Sequence, residues 1–298
     1  MPPWAADLLA LAACVAAFLL ALAWLGAGRL SRRWKPDPPS APEDFGLPCQ
    51  PVEFASRDGV PLVGRLIGPG GGRPVVVFAA GLFGSMDGDT ELALPLVRAG
   101  YDVFQFDWRG HGASGGERVT LGVRERDDLV GAVDVLQARG AKWIALLGFS
   151  MGGAVALRVA AADRRVACVI CDGGYVHLAH ALEGFARSRL GLPLKPFVWL
   201  VMRLAEVRLG LRLAEADPLP HVGTISPNPT LLIYGSADPF VPPADQDALF
   251  GACREPKSIW RIEGAGHRDG FERHPEAYLE RVIGFLNESR IGFRERRE

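Results

Sequence analysis

The sequence predicts an α/β protein: a mostly parallel eight-stranded sheet with helices on both faces and a small helical lid, preceded by one transmembrane helix. Three observations carry this. From about residue 51 onward, short β-branched and aromatic runs alternate with helix-like segments. One strand-to-helix junction is a glycine-rich knot, Gly148-Phe149-Ser150-Met151-Gly152. Ahead of the domain, Leu8 to Gly28 carries no charge and is long enough, at helical rise, to span a bilayer.

The apolar stretch reads as a membrane anchor, residues 1–30. Ala21-Leu22-Ala23 resembles a signal-peptide cleavage site, but no Lys or Arg precedes the run. A lipoprotein box at Leu11-Ala12-Ala13-Cys14 is disfavoured for the same reason, and because apolar residues continue beyond it. Positive charge follows instead, at Arg29, Arg32, Arg33 and Lys35, which puts the carboxyl-terminal flank and the catalytic domain in the cytoplasm. Residues 31–50 are dense in proline and read as a stiff, extended linker.

The folded domain is expected over 51–298. Strands are expected at 51 to 56, 61 to 67, 73 to 80, 101 to 107, 143 to 148, 166 to 172, 230 to 235 and 257 to 264. Asp58-Gly59 makes the first two an antiparallel hairpin. Helices are expected near 89–99, 122–139, 151–162, 243–252 and 275–289, with Leu129, Val133 and Leu136 on one face of the second. An insertion at about 174–228 is too long for a loop and predicts one or two lid helices over the carboxyl ends of the strands, where such sheets bind ligands. Phe197, Trp199 and Met202 of this insertion fit an acyl pocket or plain packing equally well.

Composition excludes some functions. Lys and Arg number 33 against 34 Asp and Glu, so no basic excess points to nucleic acid. Cys168 and Cys171 form a C-x-x-C, but inside a predicted strand residues three apart face opposite sides, so buried core is the expectation.

The chemistry centres on Ser150. A sharp strand-to-helix reversal needs neighbours without side chains, supplied by Gly148 and Gly152, and it exposes the serine hydroxyl at a helix amino terminus. A nucleophilic serine needs a base, and the base an orienting acid. Asp238 follows a strand in Ser236-Ala237-Asp238-Pro239, and His267 follows the next in Ala265-Gly266-His267. The order Ser, Asp, His with G-x-S-x-G, and the GSADPFVP and GAGH loops, resembles the α/β-hydrolase family from about residue 51 to the end. The loop containing Asp107, Arg109 and His111 resembles a stretch that is structural in that family. The resemblance implies an oxyanion hole from the backbone N–H of Met151 and of Leu82, in a loop where Ala80 replaces a histidine common in relatives.

Rivals are weaker. Asp172 also ends a strand and is the alternative acid, while His177, His180, His221 and His274 read as surface or lid residues. Dinucleotide binding fails because Ser150 takes the place of the second glycine of G-x-G-x-x-G, where a side chain blocks pyrophosphate. A non-catalytic tethered binding protein leaves the triad without a reason. The expectation is therefore a membrane-anchored serine hydrolase of carboxylic ester or related acyl bonds, with thioesters and small peptides as alternatives. It acts on a small acyl substrate, with no metal or organic cofactor and no nucleic-acid partner.

Overall fold

The computed structural model describes residues 3–191 and 194–295. Its strands are β1 (Cys49–Ala55), β2 (Pro61–Ile67), β3 (Val75–Ala79), β4 (Asp102–Phe106), β5 (Ile144–Phe149), β6 (Val166–Asp172), β7 (Thr230–Gly235) and β8 (Lys257–Ile262). They form one sheet in the order β1-β2-β4-β3-β5-β6-β7-β8. β1 and β2 make the hairpin, with Gly59 at φ 87° in its turn. β2 also runs antiparallel to β4, and every later neighbour pair is parallel. Strands β3 to β7 are buried throughout because helices cover both faces, which is why they read as continuous apolar runs. Cys171 lies in the core layer on one face of the sheet and Cys168 in the layer on the other.

The helices are α1 (Pro3–Leu30), α2 (Ala93–Arg98), α3 (Glu125–Ala138), α4 (Met151–Ala162), α5 (Leu178–Leu190), α6 (Lys195–Leu209), α7 (Pro243–Ala252), α8 (Gly270–Arg273) and α9 (Pro275–Glu295). The helix expected at 89–99 is shorter, because a 3-10 turn at Thr90–Leu92 precedes α2 and the Thr90 hydroxyl donates to the Asp87 carbonyl. The insertion after β6 holds α5 and α6, each stopped by a left-handed glycine, Gly191 at φ 69° and Gly210 at φ 65°.

α1 is one long apolar helix, and from Trp4 to Leu30 it is long and apolar enough to cross a membrane. Most of its side chains are exposed, Phe18 and Leu25 among them, but its last turns pack on the lid. Ala23 and Ala27 are fully buried, and a Cβ at Gly26 would touch Val201 of α6 at 3.5 Å. The proline-rich stretch is laid onto the domain. The Trp34 backbone N–H donates to the Gly110 carbonyl at 2.8 Å, the Arg33 guanidinium donates to the carbonyls of Gly112, Ser114 and Gly116, and the Asp37 carboxylate accepts from the Ser85 N–H at 2.6 Å. Proline content shows only that the segment builds no core of its own; these contacts come from two polar side chains and one backbone N–H.

Candidate active site

Ser150 sits between β5 and α4 at φ 52°, ψ −117°, a conformation that a residue with a Cβ adopts only when its surroundings enforce it. The enforcement is visible. A Cβ at Gly152 would lie 1.9 Å from the Ala79 carbonyl oxygen, and one at Gly148 would lie 2.3 Å from that of Gly152. Only glycine permits this approach of strand, turn and helix. The Ser150 N–H donates to the Asp172 carbonyl at 2.8 Å, and the Ser150 carbonyl accepts from Gly153 and Ala154 to start α4. Met151 is the first residue of α4, where a helix leaves its N–H groups without intrahelical partners.

The other two side chains arrive on the loops after β7 and β8. Asp238 turns one carboxylate oxygen to the N–H groups of Phe240, at 2.8 Å, and Val241, at 3.2 Å. Its second oxygen accepts from His267 Nδ1 at 2.8 Å, and the Ser150 hydroxyl donates to His267 Nε2 at 2.9 Å. The two loops close because β7 ends in Gly235, where a Cβ would meet the carbonyl oxygens of Ala265 and Gly266 at 2.2 Å each. The Asp238 side chain is wholly shielded and that of His267 is 18% exposed, with the Phe240 ring 4.5 Å away. This geometry brings the three predicted residues into one chain of hydrogen bonds.

Asp172, the rival acid, is engaged elsewhere. Its carboxyl accepts from the Tyr278 hydroxyl of α9 at 2.8 Å, and burial raises its pKa above the ordinary carboxylate range. No motif singles out Arg268, the residue after His267. Its guanidinium donates to Asp89 at 2.8 Å, stacks 4.3 Å over the Phe149 ring and lines the cavity beside Ser150.

The loop of Gly81 and Leu82 faces Ser150, and a Cβ at Gly81 would be 3.5 Å from that of the serine. Its shape depends on two buried residues of the loop after β4. Trp108 donates its indole N–H to the Ala80 carbonyl at 2.9 Å, and His111 Nε2 donates to the Leu82 carbonyl at 2.7 Å. The peptide carrying the Leu82 N–H is therefore held between two pinned carbonyls. Ala80 needs no imidazole for this, since the tie runs through its backbone. Asp107 adds a third tie, accepting from the N–H of Met86 and of Ala113. Arg109 pairs with Asp58 and Asp128 away from the cavity.

Comparison with known proteins bears on this arrangement. A family model described as alpha/beta hydrolase fold matches residues 74–197. The uncharacterized protein YfhR of Escherichia coli (strain K12) is 29% identical over 263 residues, covering 84% of this chain and 82% of that one. An uncharacterized protein of Mycobacterium tuberculosis (strain H37Rv) is 30% identical over 229 residues, covering 74% and 73%. The chain belongs to the α/β-hydrolase family. Among solved structures, a Pyrococcus furiosus esterase superposes on this α/β-hydrolase with a TM-score of 0.73 at 25% identity, covering 86% of this chain and 98% of the esterase.

In this α/β-hydrolase a cavity of about 430 Å³ opens over Ser150. Its floor is Gly81, Leu82, Ser150 and Met151, and its roof is largely apolar, from Leu182 and Phe185 of α5. The proposed acyl-pocket residues separate: Phe197 lines a neighbouring groove, Met202 is partly buried against the core, and Trp199 is 58% exposed. His177 is tied to Asp217 within the insertion at 3.0 Å, and His180 to Asp245 of α7 at 2.8 Å. Among the described residues no group of three or more His, Cys, Asp or Glu side chains is arranged to hold a metal ion.

Proposed function

We propose that this hydrolase cleaves carboxylic esters through a covalent acyl-enzyme on Ser150. The observation that carries the reading is the unbroken hydrogen-bond chain from the Ser150 hydroxyl through His267 to Asp238. His267 Nε2 takes the hydroxyl proton as Oγ attacks the substrate carbonyl, and the charge that builds on the carbonyl oxygen is met by the N–H groups of Met151 and Leu82. The imidazolium then gives its proton to the leaving alkoxide, which departs as the alcohol. Water enters, loses a proton to Nε2 and attacks the acyl carbon; the carboxylic acid leaves and Ser150 recovers its proton. Asp238 holds the imidazole in the tautomer with its proton on Nδ1. Similarity to the Pyrococcus furiosus esterase supports an ester substrate.

The same reading takes α1 as a retained anchor and places the domain on the cytoplasmic face. The packing of Ala23, Gly26 and Ala27 against the lid supports retention, because cleavage after Ala23 would remove that buried residue and leave Gly26 and Ala27 within four residues of a new, charged chain end. Arg29, Arg32, Arg33 and Lys35 support the orientation. Turnover of para-nitrophenyl butyrate by wild type and Ser150→Ala tests the chemistry: activity is expected to vanish in the variant, and equal rates refute the assignment. A reporter fused after residue 298 is expected to be active in the cytoplasm; a periplasmic signal reverses the topology.

A further inference from the structure

A second cavity, about 660 Å³, runs between the end of α1 and the lid. One wall is Gly26 and Leu30 of α1; the other is Ala186 of α5 with Phe197 and Val201 of α6. It abuts the catalytic cavity through side chains that line both, among them Leu30, Phe83 and Phe185. Aromatic rings mark the way inward: Phe83 to Phe185 at 5.9 Å, Phe185 to Phe240 at 6.0 Å, and Phe240 to the His267 imidazole at 4.5 Å. We propose that this groove is the acyl-chain channel of the active site, receiving the long unbranched acyl chain of an ester lipid directly from the bilayer. The inference rests on the serine-hydrolase and membrane-anchor reading above and names the substrate class for that site.

Three features point to a bilayer lipid as the occupant. The groove is walled by the helix long and apolar enough to cross a membrane, so its outer end lies where that helix leaves the bilayer. The same two helices that wall the groove, α1 and α6, carry Trp24 with Arg208 stacked at 4.3 Å and Trp199 with Arg203 at 5.5 Å, the aromatic and cationic pairing suited to the headgroup level. The charged residues lining the groove are Arg29 and Arg189, with no carboxylate among them, which complements lipid phosphates. α6 is fixed to α1 through Ala23 and Ala27, so the groove keeps one orientation to the membrane.

The test uses the full chain in phosphatidylcholine–phosphatidylglycerol vesicles containing a diazirine-bearing palmitic acid. Illumination is expected to label Phe185 and Ala186 of α5, with label lost in Ala186→Trp; label confined to the outward face of α1 overturns the proposal. This arm needs no turnover. In parallel, kcat/KM for para-nitrophenyl esters is expected to rise about fourfold per added methylene. Ala186→Trp, and to a lesser degree Ala186→Leu, is expected to lower the dodecanoate-to-butyrate ratio of kcat/KM by about tenfold or more. A flat wild-type series, or equal losses for both esters, overturns the channel. Failure of the hydrolase reading looks different: no ester is turned over at any length, while the photolabel still decides whether the groove takes a chain.

Discussion

The floor and the roof of the catalytic cavity are built by different means. The floor is backbone against backbone: Gly148, Gly152 and Gly235 allow approaches at which an added Cβ would lie within 2.3 Å of a carbonyl oxygen. The roof is side chain against side chain, with Leu182 and Phe185 of α5 over the cavity and Phe83, Phe185 and Phe240 in a row, backed by α6 and α1. A catalytic group must be held within fractions of an ångström, and close-packed backbone does that. A surface that sorts substrates needs only shape and polarity. On the proposed reading, the difference teaches that local chain geometry fixes the reaction and tertiary packing the choice of acyl group.

Substitutions can break this contrast. The largest effect belongs to the floor's charge: Asp238→Asn is expected to lower kcat by about 10⁴-fold with little change in fold, because the imidazole loses its tautomer. Asp172→Asn is expected to cost less than about tenfold, since Asp172 faces Tyr278 and not the base. If the two losses are reversed in steady-state kinetics, the acid is Asp172.

The next effect sets one glycine against another. Gly152→Ala drives a Cβ to 1.9 Å from the Ala79 carbonyl oxygen and is expected to cost at least about 3 kcal/mol in urea unfolding. Gly26→Ala, in the α1–α6 packing behind the roof, meets Val201 at an ordinary 3.5 Å and is expected to change stability by less than about 0.5 kcal/mol. Equal costs would show that the roof is as tightly determined as the floor.

Much of the floor is legible in the sequence, and the reason is physical. The glycines flanking Ser150 are demanded by the turn itself, and Asp238 and His267 follow strands recognisable by their own apolar runs. The strand limits are legible for the same reason, five of the eight lying within a residue of expectation at both ends. Arg268 and Tyr278 escape because their partners, Asp89 and Asp172, are brought to them only by the fold. Trp108 and His111 lie in a loop that the family resemblance implies to be structural, yet their contacts to the Ala80 and Leu82 carbonyls are tertiary and carry no local signal. The roof is the extreme case. Apolar spacing announces lid helices, while the groove exists only through their contact with α1, and the docking of the proline-rich stretch rests on Arg33, Asp37 and the Trp34 backbone, whose partners are distant in sequence.

A smaller effect probes the ties beneath the floor. Trp108→Phe keeps the ring and removes the donor to Ala80, and it is expected to lower kcat about tenfold while leaving KM within about twofold, less than the loss of an oxyanion donor itself. The smallest effect lies away from the site. Hydrogen bonds from Arg109 hold the Asp58 carboxyl down at about 2. Its folded pKa lies below the unfolded value of about 3.9, so its contribution is present above that pH and is lost as pH falls toward 2. Asp58→Asn is expected to flatten the fall of the urea midpoint between about pH 4 and pH 2.

The central claim is that Ser150 is the nucleophile, and covalent trapping tests it most directly. The full chain, in detergent, is treated with an alkyl fluorophosphonate and digested for peptide mass mapping. The account predicts a single phosphonyl adduct on Ser150, absent from Ser150→Ala and slowed in Asp238→Asn. An adduct of equal yield on the alanine variant, or on another residue of the wild type, contradicts it.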